Sequence, residues 1–382
     1  LVQIFGHNLD CCDYLCIISN SLLTLNNKKK VYVAMSGGVD SSVAALLLKK
    51  EGYEITGVYM KNWSGDNYGI QSDCPWEKDQ EDVQKVCKQL SIPFRSFNFE
   101  KEYREKVVDY FFDEYQKGRT PNPDVMCNKE IKFHLFLQKA LQEGADMIAT
   151  GHYVRRDYVN NKYRLLKGVD GNKDQSYFLY NITQDQLART LFPIGEYQKS
   201  EVRQIANDNH LIVADKPDSQ GICFIGEIDV QKYLRERIEK HTGEIIDIDT
   251  NQKVGQHDGI EFFTIGQREG LNIGGAKKPY FVISKDVAKN VLYVGQGNDH
   301  PELLKKRVSL ESLYTIDPDI DIKSMPDLQG SVRYRHKPEN LNIVTSNKDI
   351  SAEFSKPQRA VTPGQSLVIY QGDLCLGGGI IK

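Results

Sequence analysis

Two short runs and one separate cysteine carry the residue types that could do chemistry in this chain. Ser36-Gly37-Gly38-Val39-Asp40-Ser41 follows a β-branched apolar run, Val31 to Met35, and opens an apolar-periodic one, Val43 to Leu48. That order predicts a strand, a glycine turn and a helix. Two glycines let the backbone approach an anion closely, and Ser41 is expected at the helix N-cap. Free N–H groups and the positive end of the helix dipole then face a phosphate. The second run is Gly118-Arg119-Thr120-Pro121-Asn122-Pro123-Asp124-Val125-Met126-Cys127-Asn128-Lys129. Its prolines predict a stiff extended loop, with a helix beginning just after Cys127. A cysteine near a helix start, beside Lys129 and Lys132, has its thiolate favoured by the dipole and the cations. Asp124, three residues earlier, is close enough to exchange protons there. Cys223 follows a glycine in Asp218-Ser219-Gln220-Gly221-Ile222-Cys223-Phe224-Ile225. Neither Cys127 nor Cys223 sits in an apolar stripe. Cys87 does, and Cys375 occupies a predicted strand, where a cysteine is a small buried hydrophobe. Cys74, in Asp73-Cys74-Pro75-Trp76, leaves both readings open.

The glycine run lacks the lysine that the P-loop of kinases and GTPases requires. Its order, S-G-G-x-D-S, resembles instead the pyrophosphate loop of the ATP pyrophosphatase superfamily. Those proteins split ATP between the α- and β-phosphates, move AMP onto a substrate oxygen and release pyrophosphate. The resemblance implies ATP as ligand, with Asp40 helping to hold Mg²⁺ on the phosphates.

Alternating strand and helix patterns must position these residues. Ile55 to Met60, Phe94 to Phe99 and Met147 to Thr150 read as further strands. Val83, Val86, Cys87 and Leu90 mark one helical face, Tyr103 to Tyr115 carry a strong helical stripe, and a further helix is expected near 131–141. Repeated βα units predict a doubly wound parallel α/β sheet with its ligand at the carboxyl ends of the strands. After a helix at 230–238 the character changes to short segments broken by glycine and Asn/Asp turns. Phe281 to Ile283 with Val291 to Val294, and Leu367 to Tyr370 with Leu374 to Leu376, read as hairpins. The last third is therefore expected to be antiparallel β, a small barrel or sandwich.

At 382 residues, two or three domains are expected. The formal net charge of -3 announces no global field for nucleic acid, so any RNA contact must rest on local sites. No apolar run approaches the ~20 residues of a membrane span. Eight cysteines without a CxxC pair point to reduced thiols and a cytoplasmic location rather than a zinc ribbon or secreted scaffold. Residues 1–28 begin with Leu, carry Cys11, Cys12 and Cys16, and lack a signal or transit pattern, so an atypical extension is expected.

Several motifs in order resemble the tRNA-specific 2-thiouridylase family. They are TPNPDVMCNKEIKF at 120–133, ATGHY at 149–153, KDQSYFLY at 173–180, GICFIG at 221–226, TIGQREGLNIGG at 264–275 and TPGQS at 362–366, together with the glycine run. The match covers Lys29 to Lys382. It implies three units: a nucleotide and catalytic domain (29–225), a central tRNA-binding domain (226–298) and a C-terminal β-barrel (299–382). It also implies thiolation of the wobble uridine of the tRNAs for Lys, Glu and Gln. The uracil C2 oxygen is adenylated, and sulfur then displaces AMP. By the same resemblance Cys223 carries the persulfide, Cys127 is the nucleophile that ends disulfide-bonded to it, and Asp124 serves as acid and base.

The implied ATP contacts are Ala34, Met35, Ser36, Gly37, Gly38, Val39, Asp40, Ser41, Met60 and Gly151. Asn122, Pro123 and Asp124 lie near the target base. Lys173, Asp174, Gln175, Arg333, Tyr334 and Gln365 match tRNA contacts. His152 is placed with them, although a structural role for it stays open. Arg333 and Arg335 are expected on one face of a strand at 331–335. A cysteine desulfurase or sulfur-relay protein is implied as persulfide donor. An iron–sulfur cluster, proposed for some members, has only two evident thiolates here, so a cluster-free route is preferred. Two other readings share the glycine run: an ATP-dependent ligase transferring nitrogen, which needs neither cysteine, and a tRNA-binding protein that cleaves no ATP.

Overall fold

The computed structural model describes residues 28–64, 76–218, 230–275, 277–346 and 349–382. The expectations for residues 1–27, Cys74 and Cys223 fall outside these.

A five-stranded parallel sheet forms the first part, in the order β3-β2-β1-β4-β7. Its strands are β1 (Lys30–Met35), β2 (Glu54–Lys61), β3 (Phe94–Asn98), β4 (Met147–Thr150) and β7 (Thr190–Leu191). Five of the six β1 residues are buried, as a strand covered on both faces requires. Side chains alternate between the two faces. Val31, Val33 and Met35 pack with helices α1 (Val39–Lys50), α2 (Trp76–Gln89) and α6 (Lys199–Asp208). Tyr32 and Ala34 pack with two longer helices, α3 at 100–116 and α4 at 123–142. β1 pairs with β2 on one side and β4 on the other, so the strand order reverses there. The crevice at the carboxyl ends of β1 and β4 is where a doubly wound sheet takes its ligand.

Between β4 and β7 lies a hairpin of β5 (Val154–Val159) and β6 (Lys162–Lys167). It leaves the parallel sheet and joins the last one, where β6 pairs with β18 (Leu374–Ile380) through Leu165 and Leu166. A short helix α5 (Gln184–Ala188) follows the hairpin. Helix α7 (Val230–Arg235) leads to a four-stranded sheet ordered β10-β11-β8-β9. Its members are β8 (Gly243–Asp247), β9 (Lys253–His257), β10 (Tyr280–Asp286) and β11 (Val291–Gln296). The expected hairpin is the β10–β11 pair, while β8 and β11 run parallel.

The C-terminal sheet runs β12-β16-β15-β14-β17-β18. These are β12 (Leu304–Leu310), β14 (Gln329–Ser331), β15 (Glu339–Ser346), β16 (Asp349–Arg359) and β17 (Ser366–Gln371), besides β18. β13 (Tyr314–Thr315) pairs with β18 off this path. A bridge from Leu310 to Ile381 ties the first strand back to the end of the last, closing the sheet as expected of a small barrel. The expected strand at 331–335 is corrected: β14 stops at Ser331, and Arg335 adopts φ 63° in a turn. Among the described residues no helix is long and apolar enough to cross a membrane.

Candidate active site

The glycine turn sits at the carboxyl end of β1. Gly37 has φ +78°, and a Cβ there would meet the Asp79 carbonyl oxygen at 2.7 Å, so both backbone and space demand glycine. The expected N-cap is corrected. Gly38 caps α1, and Ser41 lies one turn inside, where its hydroxyl accepts from Ser36 N (3.2 Å) and donates to Gly38 O (3.3 Å). The first helical bond runs from Ser42 N to Gly38 O, so the amides of the opening turn lack intrahelical acceptors. Gly151, just past β4, packs on this turn: a Cβ there would lie 2.7 Å from Ser41 N. Ala34, Met35 and Met60 are buried strand residues, so their side chains are core.

Asp40 is the hub of an ionic network. Its Oδ1 accepts from the Tyr153 hydroxyl and the Lys199 ammonium, each at 2.7 Å. Lys199 also reaches Asp218 Oδ1 (2.8 Å), which takes Arg203 at 2.7 Å, while Lys173 donates to Asp218 Oδ2 at 2.6 Å. Burial pushes the Asp218 carboxyl up, but the bonds from Lys173 and Lys199 outweigh it and hold it down at about 2. Burial and the Asp40 charge push the Tyr153 phenol up, so it remains a donor. The cation missing from the glycine run thus arrives from 159 residues along the chain. Sequence reasoning did not single out Lys199 or Tyr153. The Gln198-Lys199-Ser200-Glu201 helix start, with Glu201 accepting from Gln198 N at 2.7 Å, was the available signal.

Asp40 and Asp218 offer the hard oxygens that suit Mg²⁺. Among the described residues no group of three or more His, Cys, Asp or Glu forms a nest for an ion.

α4 begins at Pro123, five residues before the start expected just after Cys127. Asn122 caps it, accepting from Val125 N at 3.2 Å, and Pro123 fits the first helical position, where no N–H is needed. Asp124 and Cys127 are then three apart on one helix and share a face. Cys127 is fully buried and belongs to the same apolar cluster as Ala34, Met60 and Trp63, which corrects its expected place outside any apolar stripe. Burial pushes the Cys87 thiol up to about 11 and the Cys375 thiol higher still, so both are inert, as expected. Asn62, two residues past Met60, is 1% exposed, and its carboxamide has no hydrogen-bond partner among the described residues. The polar edge of a ligand at the end of β2 would satisfy it.

The residues matched to tRNA contacts divide. Lys173 is held by Asp218. Asp174 accepts from Gly168 N and Ser176 N, and Gln175 accepts from Tyr153 N at 2.9 Å, so these two shape the turn that aims Tyr153 at Asp40. Arg333 is half-buried and donates to the Ala360 carbonyl, and Tyr334 packs against Phe178 with centroids 4.4 Å apart and the rings tilted by 50°. His152 is 6% exposed, bonded to the Thr150 hydroxyl at 2.8 Å and packed on Phe133. Burial, with Lys132 nearby, lowers its pKa well below the usual value, so it is neutral. Gln365 donates to the carbonyls of Thr120 and Pro121, both at 2.9 Å.

Comparison with known proteins then decides the family. The family models described as the tRNA methyl transferase HUP domain, the tRNA methyl transferase PRC-barrel domain and the aminomethyltransferase beta-barrel domain match residues 29–227, 231–296 and 313–381. The tRNA-specific 2-thiouridylase MnmA of Bacillus subtilis (strain 168) is 48% identical over 353 residues, covering 92% of this chain and 94% of that protein. The namesake from Stutzerimonas stutzeri (strain A1501) is 47% identical over 369 residues, covering 96% and 97%. The chain belongs to the tRNA-specific 2-thiouridylase family. The protein is accordingly a tRNA-uridine 2-sulfurtransferase, the activity that the name of these relatives denotes. Among solved structures, a 4-thiouridine synthetase–RNA complex with bound ATP is 16% identical at TM-score 0.33, covering 55% of this chain and 50% of that one. NMN synthetase from Francisella tularensis is 17% identical at TM-score 0.32, covering 55% and 73%. Likenesses this loose carry no argument about the thiouridylase site.

Proposed function

We propose that this thiouridylase-family protein thiolates C2 of the wobble uridine in the tRNAs for Lys, Glu and Gln, using ATP and a cysteine persulfide. The 29–225 region adenylates, while the central and C-terminal regions hold RNA, with Arg333 and Tyr334 among the contacts. Asn122, Pro123 and Asp124 line the place where the target base, splayed out of its loop, is received.

In the first step the uracil C2 oxygen attacks the α-phosphorus of Mg-ATP, and the bond to the β-phosphate oxygen breaks. The opening amides of α1 hold the phosphates, and Lys199 stabilises the charge that gathers on the departing pyrophosphate. Adenylation turns an otherwise poor leaving oxygen into AMP. In the second step the terminal sulfur of the Cys223 persulfide attacks C2 and AMP departs. The Cys127 thiolate then attacks Cys223 Sγ, forming a Cys127–Cys223 disulfide and leaving the outer sulfur on C2 as 2-thiouridine. An external thiol must reduce that disulfide before the next turnover. Asp124, on the same helix face as Cys127, exchanges the protons these steps require.

The observation that carries this reading is the Lys199 bridge. It ties Asp40 in the phosphate turn to Asp218, the residue from which the chain departs towards Cys223. Cys223 follows Asp218 by five positions in the sequence. The chain re-enters the described structure at α7, whose Tyr233 packs on Trp63, past the end of β2 and 6.2 Å away.

The test is nucleoside mass spectrometry on unmodified tRNA-Lys, tRNA-Glu and tRNA-Gln incubated with protein, Mg-ATP and a persulfide source, beside Cys223→Ser. Wobble 2-thiouridine with the wild type alone supports the reaction and the sulfur carrier together. Thiolation that survives in the variant removes Cys223 from the mechanism, and absence of both sulfur and pyrophosphate release overturns the reading.

A further inference from the structure

Thr120 is a residue of the first domain whose polar groups are bonded by the two regions that follow it. Its N–H donates to Pro363 O (2.9 Å), its carbonyl accepts from Gln365 Nε2 (2.9 Å), and its hydroxyl pairs with the Thr264 hydroxyl (3.1 Å). The same Gln365 amide donates to the next carbonyl, that of Pro121. Gly364, at φ +91°, lets the turn close in, since a Cβ there would meet Thr120 O at 2.9 Å. On the strap's other flank, Arg119 joins Glu114 (2.7 Å) to Glu311. Directly after these fixed carbonyls come Asn122, which caps α4, and then Asp124 and Cys127 on its first turns.

We infer that Gln365 is a positioning residue: its amide fork sets the backbone of the 120–121 strap, and through it the placement of Asn122, Asp124 and Cys127. The inference rests on the proposed function for what those residues do, and it departs from the family-based expectation that Gln365 meets RNA. One NH₂ group bonded to two successive carbonyls fixes two peptide planes. The prolines on either side of Asn122 pass that orientation into the helix start, because their φ angles are locked. Placement of a reacting group to within about 1 Å is worth up to roughly 100-fold in rate. A side chain of the C-terminal region thereby governs chemistry on a helix of the first.

Gln365→Glu keeps the shape and turns the donor into an acceptor facing two carbonyls, and Gln365→Ala removes the fork. Two readouts are taken on each, with a melting curve to establish folding and Thr264→Val as a milder release of the same strap. The first is the alkylation rate of Cys127 by iodoacetamide under reducing conditions, followed by peptide mass spectrometry. The second is steady-state tRNA-dependent pyrophosphate release. For the two Gln365 variants the expected result is at least 10-fold faster alkylation and at least 10-fold lower kcat, with KM for tRNA within 3-fold of wild type. A 10-fold rise in that KM at unchanged kcat, or an alkylation rate that does not move, overturns the inference. Wild-type protein that releases no pyrophosphate with tRNA refutes the proposed function instead, and the alkylation rates still decide whether Gln365 holds the strap.

Discussion

Apart from the bonds that Asp40 accepts from Tyr153 and Lys199, the hydrogen bonds described within the phosphate turn run between residues at most five apart, such as Ser36 N to Ser41 Oγ and Ser42 Oγ to Gly38 O. The strap leading to Cys127 is held across 144 residues by Thr264 and across 245 by Gln365. The first region is therefore specified by its own sequence and the strand and helix beside it. The second takes its shape only when all three parts of the chain have docked. On the proposed function, a nucleotide site built this way binds ATP before RNA arrives, whereas the face carrying Asp124 and Cys127 is conditional on the assembled molecule.

Lys199 offers the sharpest way to break that contrast, because it is a long-range element serving the local turn. Lys199→Met is expected to lower kcat for tRNA-dependent pyrophosphate release by about 100- to 1000-fold, the usual cost of removing one charge-stabilising donor. Lys199→Arg should restore part of the loss. If Lys199→Met leaves kcat within 3-fold, the turn is self-sufficient and the bridge to Asp218 is only structural. Next in size is Gly37→Ala, which strains a φ of +78° and drives a methyl against the Asp79 carbonyl. Roughly 100-fold less pyrophosphate release is expected, with a raised KM for ATP. A variant of normal rate would mean that the turn adopts another backbone when loaded.

These differences also explain what was legible beforehand. Met147 to Thr150 reads as a strand with the ends observed, because three apolar residues and a β-branched threonine between turns leave little choice. The β17–β18 hairpin is legible from the two apolar runs that flank Gln371-Gly372-Asp373. The β5–β6 hairpin is not, since Val-Arg-Arg-Asp-Tyr-Val and Lys-Tyr-Arg-Leu-Leu-Lys offer neither an apolar run nor a clean alternation. Its signal was the Asn160-Asn161 pair, whose φ values of 52° and 60° suit a tight two-residue turn. The α4 start lies five residues earlier than the two prolines suggest, because the second of them is a good first helical residue rather than loop. The strap's clasp had no local signature at all: it pairs a threonine and two carbonyls with motifs from elsewhere in the chain.

A milder probe of the conditional region is Thr264→Val, which keeps the shape and removes the hydroxyl that meets Thr120. Leaving the Thr120 hydroxyl without that partner costs about 1 kcal/mol. A fall in melting temperature of a few degrees or less is expected, with a two- to fivefold loss of kcat and ATP binding unchanged. If ATP affinity fell as much as turnover, the two regions would not be separable.

His152 joins the regions physically, since its ring rests on Phe133 of α4, centroids 5.7 Å apart, while its neighbour Gly151 touches the phosphate turn. Its imidazole is buried and neutral in the folded protein, whereas the unfolded chain protonates it below about pH 6.5. In that range the unfolded state binds the extra proton, so stability falls as pH drops, by at most about 1.4 kcal/mol per pH unit from this group. The contribution is fully present above pH 6.5, which is the sign for a group whose folded pKa is depressed. Denaturant melts of His152→Gln between pH 5 and 8 should therefore show a shallower acid slope than the wild type. At pH 7.5 its turnover should stay within threefold, because a neutral buried ring offers RNA neither charge nor surface. A tenfold loss of turnover with an unchanged acid slope would reverse that assignment. His152 would then belong with the reacting groups, and the boundary between the two regions would run through the reaction itself.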